Sequence, residues 1–281
     1  GHSHQGYLCD VGGRVVTQAD TAGHLLTRVS MQVEPRTGAV SNLTVANVVM
    51  KPGEYPADPK MVAYIAQVKE RSEAALTRPI AKIATAPLLR KNNDAGESPL
   101  GNLVADAALD SARSLGAQFA FMNNGGIRRD LEAGADKTVN FGQAQAVLPF
   151  GNTTVVMNLT GAQIRNLLER QWPDGPNVTS SVLQVSQGFT YTWDAKRPAG
   201  NRLVPGSVKL DGKPLDDGAT YRLALNNFLA EGSDGYPEFA LGTQRIDTGL
   251  RDLDGFIAYL KKLEGQGAAL APATPRIVRL N

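Results

Sequence analysis

Two histidines stand one residue apart at the start of the chain, His2 and His4 in Gly1-His2-Ser3-His4-Gln5. Side chains at i and i+2 of an extended segment share a face, so the pair can present two imidazole nitrogens to one metal ion. An isolated HxH binds metal weakly, and a short His-bearing leader is also a common cloning residue. The rest of the sequence adds only His24 and a single cysteine, Cys9, so no Cys/His cluster completes a zinc site.

Three further stretches carry chemistry. In "MNNGGIRRDL" (122–131) two amides, Asn123 and Asn124, are followed by two glycines and then by Arg128 and Arg129. The glycines permit positive φ and close approach of a ligand to the backbone, while amide and guanidinium groups suit a phosphate or the edge of a heterocycle. The bland reading of the same residues is a tight turn with solvated arginines. "LPFGNTT" (148–154) and "NNFLAEGSDGYPEF" (226–239) each set an aromatic ring, Phe150 or Phe228, beside residues that break regular structure. Two such rings can clamp a planar ligand, and Asp234 in "GSDG" can accept hydrogen bonds from a sugar diol. The bland reading of each phenylalanine alone, a core or interface side chain, is the commoner role for that residue. The phosphate-binding GxxxxGK[ST], the dinucleotide GxGxxG and the nucleophile elbow GxSxG are all absent.

Bulk properties narrow the field. With 42% hydrophobic and 20% charged residues, the 281-residue chain has the composition of a globular protein with ample core. Its 29 basic and 27 acidic residues leave a net charge of +2, too balanced to predict binding of a nucleic-acid polymer or a membrane surface from electrostatics alone. One cysteine excludes an internal disulfide framework. No apolar run approaches the roughly 20 residues of a membrane-spanning helix.

The elements that must position these residues mix two periodicities. Leu25, Thr27, Val29, Met31 and Val33 alternate with mostly polar neighbours. With the turn "EPRTG" (34–38) and Val40, Leu43 and Val45, they predict a hairpin. "KPGEYPADP" (51–59) is a break, after which Asp58 and Pro59 open a helix carrying Met61, Ile65, Val68 and Ser72. A second helix is expected over 97–116, capped by Ser98 and stopped by Gly116, and a third after the cap Thr160. Strands are expected over 117–124, 153–159 and 221–229, a hairpin over 207–215 with Asp211-Gly212 at its turn, and a helix over 250–263. Strands and helices intermix without strict alternation, which predicts a mixed α/β fold with a mixed β-sheet flanked by helices.

In this order, "GHSHQ", "ESPLGNLVADA", "NNGGIRRDL", "LPFGNTTVVMNLTGAQI", "LQVSQGFTYTWD" and "NNFLAEGSDGYPEF" resemble the bacterial 5′-nucleotidase family, over nearly the whole chain. The family includes nucleoside monophosphatases, 2′,3′-cyclic-nucleotide phosphodiesterases and nucleotide-sugar hydrolases. The resemblance implies three parts: residues 1–54 as the last strands of a metallophosphoesterase domain, 55–77 as a linker helix, and 78–281 as a substrate-binding domain. It implies hydrolysis of nucleotide phosphate esters at two divalent metal ions (Zn, Mn, Mg or Ca), with periplasmic or secreted location. His2 and His4 match the last metal-binding motif, GHxH or GHxQ. The DxH, GDxxD, GNHE/D and further His ligands are expected in an N-terminal domain not present in this sequence, so the chain is expected to be inactive alone. Carried over residue by residue, the nucleoside sandwich falls on Phe150 and Phe228 and the ribose acceptor on Asp234. Phosphate- and base-side contacts fall on Arg90, Asn123, Arg128 and Asn152, with Gly188 as a close-approach position. The family's second arginine falls on Asp94, a departure that weakens the case for a diphosphate substrate. The competing expectation is a non-catalytic solute-binding or interaction module that kept the fold.

Overall fold

A computed structural model describes residues 3–84, 86–173, 181–265 and 275–281. The chain divides into two compact units, Gly1–Arg71 and Ser72–Asn281. In the first, β1 (Gly6–Val11) and β2 (Arg14–Ala19) form one antiparallel hairpin, and β3 (Leu25–Val33) and β4 (Val40–Val49) form the hairpin expected around residues 34–38. The two hairpins share a polar knot, in which Asn47 Oδ1 accepts from Thr27 Oγ1 at 2.7 Å and Asn47 Nδ2 donates to Tyr7 O at 2.9 Å. α1 (Pro59–Leu76) starts as anticipated, with Asp58 Oδ1 accepting from the Lys60 amide at 2.8 Å.

The second unit contains β5 (Pro79–Lys82), α2 (Pro99–Ala112), β6 (Phe119–Met122), β7 (Thr138–Asn140), α3 (Phe141–Val147), β8 (Thr153–Thr160) and α4 (Gly161–Glu169). They are followed by β9 (Gln184–Val185), β10 (Phe189–Asp194), β11 (Lys209–Leu210), β12 (Lys213–Pro214) and β13 (Thr220–Asn226). The last elements are α5 (Asn227–Ala230), β14 (Thr243–Arg251), α6 (Asp252–Gly265) and β15 (Ile277–Leu280). A five-stranded sheet of order β14-β8-β13-β6-β9 is mixed: β13 and β6 are parallel, and every other pair is antiparallel. A four-stranded sheet of order β12-β11-β10-β15 is also mixed. The mixed sheets with flanking helices match the fold class expected from the sequence.

Alternation along the central strands sorts their side chains into two cores. Phe119, Phe121, Val155, Met157, Leu223 and Leu225 pack on one face against Ile164 and Leu168 of α4 and against Phe189 and Tyr191 of the second sheet. On the other face the small side chains Ala120, Val156 and Ala224 admit α2 through Leu109 and Ala112. Local signals explain the helix ends. Ser98 Oγ accepts from the Gly101 amide at 3.0 Å, and Thr160 with Gln163 forms a reciprocal capping box. One expectation is corrected. The strand-like run over 221–229 ends at Asn226, whose side chain takes the amide of Leu229 and opens α5 in place of a continuing strand.

Candidate functional site

The parallel pairing of β13 with β6, Leu223 opposite Phe119, sends the carboxyl ends of both strands to one edge of the sheet. There β6 delivers Asn123 and β13 delivers Asn226, both buried. β8 runs antiparallel to β13, with Thr154 opposite Asn226, so the loop before β8 arrives at the same edge. The carboxyl ends of parallel strands are where connections diverge and leave room for ligands.

The two rings singled out in the sequence occupy this edge in loop and turn positions. Phe150 is 57% exposed and Phe228 is 40% exposed, which removes the core-packing reading for both. Asn227 Oδ1 accepts from the Thr153 amide at 3.2 Å and so ties the turn that carries Phe228 to the start of β8, just after Phe150. The Arg128 guanidinium lies 5.6 Å from the centre of the Phe150 ring, within cation–π range.

Beside the rings stands a polar cluster. Asn123 Nδ2 donates to Asp234 Oδ2 at 2.5 Å, and Asn226 Nδ2 donates to Asn123 Oδ1 at 3.0 Å. Asp234 holds a left-handed backbone with φ of 56°, an uncommon state for a residue with a Cβ. Gly125 faces this carboxylate, since a Cβ there would lie 3.5 Å from Asp234 Oδ2. Arg128 donates to Gly125 O at 3.4 Å. Arg90 reaches the same segment, its amide donating to Asp130 Oδ1 at 2.7 Å and its guanidinium to Arg128 O at 3.4 Å. Asn152 O accepts from the Asp252 amide at 2.8 Å, which sets Asn152 beside the Asp252 carboxyl. Burial pushes the Asp252 carboxyl up to about 6; the Leu253 amide and Asn152 oppose the rise, Asp254 adds to it and Arg251 reduces it.

The edge thus gathers Asn123, Arg128, Phe150, Asn152, Phe228 and Asp234, with Arg90 bonded to the Arg128 segment. It does not gather Gly188. β9 runs antiparallel to β6, which carries the chain toward the amino end of β6. There Gly188 takes φ of 91°, and a Cβ would sit 2.6 Å from Asp211 Oδ1, so its close approach serves packing against the Asp211 turn. His4 lies exposed just before β1 at φ of 54°, and His2 falls outside the described residues. Among the described residues no three His, Cys, Asp or Glu side chains stand close enough together to hold a metal ion. Sequence reasoning missed Asn226, Asn227 and Asp252. The adjacent amides Asn226-Asn227 after an apolar run were the available signal, because Asn is a favoured helix cap.

Residues 79–241 match the family model described as 5′-nucleotidase, C-terminal domain. The chain is 30% identical over 284 residues to the cell wall protein Lmo0130 of Listeria monocytogenes, covering 96% of this chain and 35% of that protein. It is 36% identical over 171 residues to the trifunctional nucleotide phosphoesterase protein YfkN of Bacillus subtilis, covering 59% of this chain and 11% of that protein. Among solved structures, the 5′-nucleotidase precursor from Thermus thermophilus superposes with a TM-score of 0.69 at 32% identity, covering 95% of this chain and 52% of that one. The chain therefore spans about half the length of that structure, and less of the two relatives.

Proposed function

The chain belongs to the 5′-nucleotidase family through its C-terminal domain, and from that premise we propose that its second unit recognises the nucleotide for a metal-dependent phosphate-ester hydrolase. The base stacks between Phe150 and Phe228. The ribose diol donates to Asp234. Arg128 and Arg90 offer positive charge to the phosphate, and the Asn123 and Asn152 amides border the base and sugar. The observation that carries this reading is convergence: two exposed rings, a carboxylate held by an amide, and an arginine over one ring come from separate segments to one sheet edge. Stacking orients a flat base whatever its identity, and fixing base, sugar and phosphate together supplies the positional part of catalysis.

The attacking group belongs to a metallophosphoesterase domain that acts as the partner of this one. Residues 1–54 are its closing strands, 55–77 the linker and 78–281 the recognition domain. A dinuclear centre needs several imidazole and carboxylate ligands. The described residues hold no such group, and no reaction step is assigned to them. His2 and His4 are read as the closing members of a ligand set completed elsewhere in the parent. Similarity to a cell wall protein supports a location outside the cytoplasm.

The test is a calorimetric and thermal-shift titration of the chain with adenosine and AMP. Both ligands raise the unfolding midpoint once they exceed their dissociation constants. Phe150→Ala and Phe228→Ala each weaken binding by about 5- to 150-fold, the equivalent of roughly 1–3 kcal/mol per stacked ring. No shift at millimolar ligand, or unchanged affinity in both variants, would refute the reading. The chain with added Mn²⁺ or Zn²⁺ is expected to leave AMP intact; hydrolysis that co-elutes with the protein would overturn the division of labour.

A further inference from the structure

We infer that Asn226, a residue with no ligand contact assigned above, is the positioning residue that fixes the amide of Asn123 against the ribose-binding carboxylate. The inference rests on the nucleoside reading of Asp234. Three hydrogen bonds run in series. The Leu229 amide donates to Asn226 Oδ1 at 2.8 Å, Asn226 Nδ2 to Asn123 Oδ1 at 3.0 Å, and Asn123 Nδ2 to Asp234 Oδ2 at 2.5 Å. The second hydrogen of the Asn226 amide goes to Met122 Sδ at 3.4 Å. Both asparagines are buried, at 4% and 3% exposure, so water offers little alternative to these partners.

Both ends of the series force the same direction. A backbone N–H can only donate, so Asn226 must present its oxygen to Leu229 and its nitrogen to Asn123. A carboxylate can only accept, so Asn123 must present its nitrogen to Asp234. Each amide therefore has one satisfied orientation, and the flipped one leaves buried donors or lone pairs facing each other. The bond that roots the series is also the cap of α5, the turn that carries Phe228. One side chain thus fixes the turn under a stacking ring and aims the amide that holds Asp234, so the base and diol subsites share a single anchor.

The test separates these roles with adenosine and 2′,3′-dideoxyadenosine, which keeps the base and lacks the diol. The wild-type chain should prefer adenosine by about tenfold, the scale of a hydrogen bond to a charged group. Asn226→Asp keeps an oxygen for the Leu229 cap but sets a carboxylate against Asn123 Oδ1. The Asn123 amide then stands between two carboxylates and can aim its nitrogen at only one of them, so the donor to Asp234 is no longer fixed. The expected result is loss of most of the preference, with adenosine binding weakened several-fold more than dideoxyadenosine binding. Asn226→Ser, which caps but is too short to reach Asn123, should lose preference in the same direction and guards against misfolding of the Asp variant. Equal weakening of both ligands in both variants, or a retained preference, overturns the inference while leaving the nucleoside reading intact. Failure of the wild-type chain to bind either ligand overturns both.

Discussion

The carboxyl of Asp252 sits at the start of α6, behind the loop that carries Phe150 and Asn152, and beside Val104, Ala108, Leu148 and Leu225. These apolar neighbours strip water from the ionised form, which raises its pKa from 3.8 to about 6. The folded state therefore keeps the proton where the unfolded chain has already released it. Between about pH 4 and pH 6 this group binds more protons in the native than in the unfolded state, so its contribution to stability falls as pH rises through this window and is level above it. Two pKa units correspond to about 3 kcal/mol as an upper bound, and partial solvent access reduces the expected loss to the order of 1–2 kcal/mol. Asp252→Asn keeps an oxygen for the Leu253 amide, which Asp252 Oδ1 accepts at 2.7 Å, and removes the charge. Urea denaturation at pH 4.0, 5.0, 6.0 and 7.5 is the assay, with equal m-values as the check on a two-state comparison. The variant should match the wild type near pH 4 and exceed it by about 1–2 kcal/mol at pH 7.5. A stability difference that is the same at every pH, or a variant weakened only at high pH, refutes the assignment of the desolvated carboxyl to Asp252.

Other predictions concern the frame that holds the edge in place. Arg276 makes a two-pronged pair with Asp106, both bonds 2.7 Å, and also donates to Val185 O at 2.8 Å. Arg276→Met should cost about 3–5 kcal/mol in urea denaturation, because it strands a largely buried carboxylate, and Arg276→Met with Asp106→Leu should recover most of the loss. Gly161 opens α4, and a Cβ there would overlap the Asp216 carbonyl oxygen and lie 2.8 Å from its carbon. Helix propensity favours Ala over Gly by about 1 kcal/mol, but backbone cannot move aside as a side chain can. Gly161→Ala should therefore lower the melting temperature; a raised one would show that the overlap relaxes cheaply.

Much of the frame was legible because its signals are local. Asp58-Pro59, Ser98-Pro99 and Thr160 with Gln163 cap helices through atoms within a few residues, and Asp211-Gly212 turns a hairpin through its own positive φ values of 48° and 77°. β14 was missed because it is mostly exposed and its register with β8 is interrupted, so no alternation marks it. The arrival of the segments carrying Phe150 and Phe228 at one edge depends on β8 pairing with β13, a contact between segments about seventy residues apart that no local pattern encodes. Gly188 shows the opposite failure. A glycine at positive φ marks a tight backbone, but whether ligand or protein fills the space beside it is decided by tertiary packing, here by Asp211. Asn226 was passed over for a related reason. Its sequence context reads as strand, and its value lies in bonds to residues 123 and 229, one of them far away.

The central claim is that Phe150 and Phe228 grip one planar base while Asp234 holds the sugar. A crystal structure of the chain grown with adenosine tests it most directly. The purine should lie between the two rings, with the ribose hydroxyls within hydrogen-bonding distance of the Asp234 carboxylate. Adenosine bound at another face of the domain, with both rings left in solvent, would contradict it.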